Sequence, residues 1–197
     1  MKTNHLLKTE KKIKKESLTM NNEISQTKKE TNNPSPISEE VLEMIKKHEG
    51  YRGQVYLDTA SIETIGYGRN LKQYPLSEEE QRNIKLNFGV YGKKEAQEWL
   101  KNHLEELYNE LYQYRWFKNL DATRQSIILD MAYNLGIPRL LLFKKMILAL
   151  NSKDYSNASR EMLNSSWAMQ VKDRAKRLSQ LMQEHKETIE GIEVQNA

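Results

Sequence analysis

Three side chains in this 197-residue sequence are spaced so that they could act together on one bond: Glu49, Asp58 and Thr64. Glu49 closes a segment in which Ile37, Val41, Leu42, Ile45 and His48 recur near one face of a helix. Ser38 starts that helix, with Glu39 and Glu40 in the first turn where the helix dipole favours acids, and Gly50 stops it. A strand-like run, Gln54-Val55-Tyr56-Leu57, then leads to Asp58, and a second strand runs from Ile62 to Gly68. The turn between them, Thr59-Ala60-Ser61, is short enough for a hairpin, which would bring Asp58 and Thr64 close together. A carboxyl on a helix end would then face a carboxylate and a hydroxyl. Such a set can split a glycosidic bond: one acid protonates the leaving oxygen, and the opposite groups manage a water. Taken singly, a Glu before Gly is more often a solvated helix terminus, and an Asp before Thr a turn former. Only the combination carries the chemistry.

The rest of the chain supplies the elements that would hold these groups. Ser77, followed by three glutamates, starts a helix, and residues 88–92 form a glycine-punctuated loop. A long helix over about 93–114 carries Ala96, Trp99, Leu100, His103, Leu104, Leu107 and Leu111 along one side. Its length suits a spine between two lobes. Asp121 caps a helix over 122–135 that Gly136 stops, and Pro138 opens another that runs through Leu150. Shorter apolar patterns predict helices over about 154–163 and 171–186. The expected fold is α+β and predominantly helical. A small hairpin-containing lobe, 38–92, is joined by the spine to an all-helical lobe, 115–186, with residues 187–197 as a frayed tail.

Charge is unevenly placed. Residues 1–37 contain eight Lys, four Glu and no Arg or Asp, which accounts for the whole net charge of +4 and leaves 23 basic and 23 acidic residues in the remainder. Charge therefore gives no support to nucleic-acid binding by the domain. The leader lacks aromatics and is rich in Lys, Glu, Asn, Ser and Thr, a composition that predicts disorder. Leu6, Leu7 and Ile13 offer only a weak basic amphipathic pattern, and Met20 is a candidate internal start. Polar residues interrupt every apolar pair there, so a secretory signal is not expected, and no run of about 18 apolar residues predicts a membrane span. With no cysteine, the chain can fold in a reducing cytoplasm without disulfides. His103 reads as a packed histidine, since four His and no Cys form no ligand-like cluster.

Glu49-Gly50, Tyr56-x-Asp58-Thr59 and Thr64-Ile65-Gly66-Tyr67-Gly68 together resemble the signature of the bacteriophage-type lysozymes, glycoside hydrolase family twenty-four. Asp130-Met131-Ala132-Tyr133-Asn134-Leu135-Gly136, Phe143, Ser166-Trp167 and Asp173-Arg174-Ala175-Lys176-Arg177 extend the likeness over residues 38–185. The resemblance implies Glu49 as general acid, Asp58 as the carboxylate that stabilises the transition state and helps activate water, and Thr64 as the residue that positions it. It implies Asn70, Tyr133 and Asn134 in the sugar cleft and Arg174 beside Glu49. It aligns Asp130 with a cleft-facing position where it would pair with Arg174, although spacing alone leaves an outer solvated face equally open. The implied reaction hydrolyses the β-1,4 bond from N-acetylmuramic acid to N-acetylglucosamine, without metal or cofactor. The implied partners are peptidoglycan glycan strands and a separate holin-type pore protein that releases a monomeric, cytoplasm-made enzyme to the wall for host lysis.

Three positions depart from the family pattern. Ser61 stands where a glycine is usual in the hairpin turn, Arg69 replaces a histidine, and the acid expected opposite it falls at His103. An ion pair of the usual signs is therefore not expected there. Two other readings compete: a lytic transglycosylase, which needs the acid but no water, and a non-catalytic lysozyme-fold module of a phage tail or toxin. Asp58 and Thr64 speak against the first, and the retained Glu49 against the second.

Overall fold

The computed structural model describes residues 36–184. The readings of residues 187–197 as a frayed tail and of residues 1–37 as a disordered leader lie outside them, except for Pro36 and Ile37. Ile37 is only 6% exposed and belongs to the core, so the boundary drawn after it falls too late. The first helix, α1 (Glu39–Glu49), is defined by its ends: the Ser38 hydroxyl accepts the Val41 N–H, and Gly50 leaves the helix at φ 68°. Ile37 and Leu42, at the two positions of a hydrophobic staple, are both buried.

The chain then forms an antiparallel sheet of β1 (Arg52–Leu57), β2 (Glu63–Gly66) and β3 (Arg69–Asn70), in that order. Thr64 stands opposite Tyr56 on one side and Asn70 on the other. The loop between β1 and β2 spans residues 58–62 and is closed from within: Asp58 N–H donates to the Ile62 carbonyl, and Ser61 N–H donates to the Asp58 carbonyl, both at 3.0 Å. Ser61 sits in the left-handed region at φ 60°, the place such a loop reserves for glycine. β3 was not expected from the sequence; two residues offer no alternation to read.

Helix α2 (Glu78–Leu86) begins with a complete capping box between Ser77 and Glu80. The spine α3 (Lys93–Leu111) spans about 28 Å at 1.5 Å per residue. It packs on both β2 and the central helix α5 (Ala122–Leu135), so it touches the sheet and the helical half alike. The spine ends at Leu111 rather than 114, and a single turn, α4 (Arg115–Lys118), follows. In α5, Ile127 to Ala132 are all buried, six consecutive residues that leave no outer face. Such all-round burial marks a helix enclosed by others.

One expected helix is broken. The run from Pro138 to Leu150 divides into α6 (Ile137–Leu140) and α7 (Lys144–Asn151). Between them Leu142 and Phe143 donate to carbonyls only three residues back, a tight turn that turns Leu142 outward. After α8 (Tyr155–Leu163) comes a short helix that the sequence did not predict, α9 (Ser166–Val171), and then α10 (Asp173–Gln183), the helix expected over 171–186. Lys172, at φ 50°, makes the break between them. α10 packs on α8 and α5 and carries Arg174 to the first helix.

Candidate active site

Glu49 is the last residue of α1, so its carboxylate leaves the helix beside the sheet. Arg174 Nη1 donates to its Oε1 at 2.8 Å. Its Oε2 lies against Gly68: a Cβ built there would come within 3.1 Å, and Gly68 adopts φ +82°. Only glycine permits both that backbone and that approach. The Glu49 side chain is 16% exposed. Burial holds its carboxyl above the ordinary carboxylate range; Arg174 opposes this, and the Asp130 charge adds to it. A carboxyl kept protonated above its usual pH can serve as a general acid.

Asp130 is fully buried, which removes the outer-face alternative. Its Oδ1 accepts Arg174 Nε at 2.9 Å, and its Oδ2 meets His48 Nδ1 at 2.6 Å. Arg177 Nη2 lies against the other ring nitrogen of His48, Nε2. Glu49, Arg174, Asp130, His48 and Arg177 thus form a continuous polar chain through α1, α5 and α10.

Asp58 ends the first hairpin strand, and its Oδ1 accepts the N–H groups of Ala60 and Ile62, each at 2.8 Å. It is therefore the turn former that its position suggested, and its other oxygen has no protein partner among the described residues. Alternation along the strands puts Tyr56, Asp58 and Thr64 on one face of the sheet. Burial raises the Tyr56 hydroxyl above its ordinary range; Arg52 opposes this, and the Glu49 and Asp58 charges add to it. Thr64 is buried and its hydroxyl donates to the Ile62 carbonyl at 3.0 Å, which leaves it able only to accept from anything else.

The expected cleft residues have definite partners. Tyr133 donates to the Tyr67 carbonyl at 2.6 Å and so ties α5 to the segment after β2. Asn134 is exposed, with its carbonyl oxygen accepting the Trp167 indole N–H at 3.1 Å. Asn70 sits in β3 next to Thr64 and uses its side-chain oxygen to accept the N–H groups of Lys72 and Gln73. Sequence reasoning missed His48, Arg177 and Gly68 as parts of the site. His48 reads as one more position on the inner face of α1; the available signal was Arg177, one turn beyond Arg174 on the same helix.

The departures at Arg69 and His103 resolve into a different arrangement. Arg69 is buried and grips both Glu80 oxygens, at 2.5 and 3.1 Å, while its Nε donates to the Tyr74 carbonyl. It also lies 4.7 Å over the Trp99 ring, and His103 stacks on the same indole at 5.0 Å. Arg69 thus has a new ion-pair partner in α2 and meets the spine through an aromatic ring.

Among the described residues, no three His, Asp or Glu side chains converge as a metal site. The family model described as phage lysozyme matches residues 46–187. "Probable T4-type lysozyme 1" of Dictyostelium discoideum is 26% identical over 153 residues, covering 70% of this chain and 90% of that protein. "Probable T4-type lysozyme 2" of the same organism is 25% identical, over 69% of this chain and 89% of that protein. The "Pre-baseplate central spike protein Gp5" of Enterobacteria phage T4 is 26% identical over 78% of this chain, but the match spans only 29% of that protein. Glu49, the hairpin, α5 and the Arg174 segment all fall inside the region matched, and the chain belongs to the phage lysozyme family of peptidoglycan hydrolases.

Proposed function

We propose that this chain hydrolyses the β-1,4 bond between N-acetylmuramic acid and N-acetylglucosamine in peptidoglycan. The observation that carries the reading is the state of Glu49: a shielded carboxyl with its proton affinity raised, one oxygen held by Arg174 and the other facing Gly68. Glu49 gives its proton to the glycosidic oxygen as the bond to the anomeric carbon breaks. A water adds to that carbon, and Asp58 takes the proton the water loses, so one water is consumed per bond. Thr64, with its own hydrogen already donated, accepts one from that water and orients it. Tyr133, Asn134 and Asn70 border the space for the sugars. Digestion of purified peptidoglycan, followed by mass analysis of the products, tests this. Products with reducing N-acetylmuramic acid ends, carrying the added water, are expected; products one water lighter, or no products, overturn it.

The same reading places the enzyme in the cytoplasm when made and on wall glycan strands after release through a separate pore-forming protein. The absence of cysteine supports folding in a reducing compartment. Cytoplasmic expression should lyse cells only when a pore-forming protein is co-expressed. Lysis by the chain alone contradicts the route.

A further inference from the structure

His48 stands one residue before the acid and makes two contacts that together fix where its proton is. Asp130, fully buried and paired with Arg174, presents Oδ2 to Nδ1 at 2.6 Å. An ionised carboxylate can only accept, so Nδ1 must carry a hydrogen. On the far side of the ring, Arg177 Nη2 meets Nε2. A guanidinium can only donate, so Nε2 must offer its lone pair. Both constraints select one form, the neutral ring protonated at Nδ1.

We infer that His48 is a positioning residue for the acid. Its neutral ring donates to Asp130, Asp130 holds Arg174, and Arg174 orients Glu49. The inference rests on the reading of Glu49 as the acid. The charged groups in contact with the ring are Asp130 from α5 and Arg177 from α10, and Arg174 from α10 and Glu49 from α1 are reached through Asp130. A second proton on the ring would set an N–H against Arg177 and break the outer contact. Loss of the ring would leave Asp130 Oδ2 buried with no donor, free to turn and carry Arg174 with it. A small displacement of an acid is enough to cost rate without costing binding.

Two measurements test this. Nitrogen NMR of the wild-type histidine side chains at pH 7, with His48 assigned by difference against His48→Gln, should show a protonated Nδ1 and a bare Nε2. A ring protonated at Nε2, or at both nitrogens, overturns the inference whatever the activity. In kinetics, His48→Leu should lower kcat roughly tenfold with KM within about twofold. His48→Asn, whose amide can donate from near the Nδ1 position, should recover to within about threefold of wild type. In an Arg174→Met background, His48→Leu should cost less than about twofold more, because its effect passes through Arg174. An unchanged kcat in His48→Leu, no rescue by Asn, or an equal loss without Arg174 each overturns the role. If the wild type hydrolyses no peptidoglycan, the glycosidase reading fails and the role in catalysis fails with it, while the NMR result still decides the ring's protonation.

Discussion

Glu49 is pulled in two directions, and the outcome sets both its chemistry and its cost. Burial and the Asp130 charge favour its protonated form, while Arg174 favours the anion. Replacing it by Gln keeps the shape and the contact with Arg174 but removes the proton. Glu49→Gln should lose at least ~10²-fold in rate, and activity within a few-fold of wild type would exclude Glu49 as the acid. The same variant should be more stable at neutral pH. A carboxyl whose folded pKa lies above its unfolded value opposes folding once it is ionised. The gain in thermal midpoint should therefore be present at pH 7 and vanish as pH falls towards 4.5, the unfolded value. Asp130 is the next residue in the chain of contacts. Asp130→Asn removes a charge that raises Glu49 and lets Arg174 act undamped, so the alkaline limb of kcat/KM should move to lower pH. The limb belongs to the coupled cluster rather than to one group. A limb that stays put or moves up would show that Asp130 does not screen Arg174.

At the scale of elements, the hairpin places Asp58 and Thr64 on one face, and its loop contains a position with unfavourable backbone geometry. Ser61 occupies φ 60°, where an L-residue other than Asn or Asp is disfavoured. Ser61→Gly should relieve that cost and stabilise by a few tenths to about 1 kcal/mol, net of glycine's greater freedom in the unfolded chain. Chemical denaturation would show it, and a clear loss of stability would mean the loop uses Ser61's side chain. That turn was legible in the sequence because its length and the missing glycine are both local. So were α1 and α5, whose ends are marked by Ser38 and Gly50, and by Asp121 and Gly136. The break at Leu141–Phe143 was not, because an unbroken apolar run carries no punctuation. Nor was α9, which ends at Lys172, where a lysine takes a backbone shape that sequence assigns to glycine. Asp130 was ambiguous for a related reason. Spacing tells which residues share a helix face, but the stretch of α5 from Ile127 to Ala132 is buried on every side, and only its neighbours decide which polar group faces the site.

At the scale of the whole molecule, the sheet, α2 and the spine meet in one polar and aromatic cluster, and that cluster should control acid stability. Glu80 caps α2 through Ser77 and holds Arg69, which lies over Trp99 on the spine. Burial would raise the Glu80 carboxyl, but Arg69, the Ser77 N–H and the Tyr91 hydroxyl outweigh it and bring it down to about 2 from 4.5. A carboxyl with a depressed folded pKa contributes stability that is complete above its unfolded value. That contribution is lost as pH falls from 4.5 to about 2. His103, stacked on the other part of the same indole, is held below 6.5 chiefly by burial, with Arg69 adding to it. The folded state favours its neutral ring, so this contribution is complete above 6.5 and falls as the unfolded chain begins to bind a proton there. The two groups act in sequence: His103 begins the decline near neutrality, and Glu80 continues it in acid. Stability measured by urea unfolding from pH 8 to pH 3 should separate them. His103→Asn should flatten the slope just below pH 6.5 and leave the acid slope below 4.5 in place. Glu80→Gln should do the reverse, with a loss of about 2 kcal/mol at pH 7 from weakening the partner of a buried guanidinium. Parallel curves for both variants, offset from wild type but with its slopes, would show that neither group couples protons to folding.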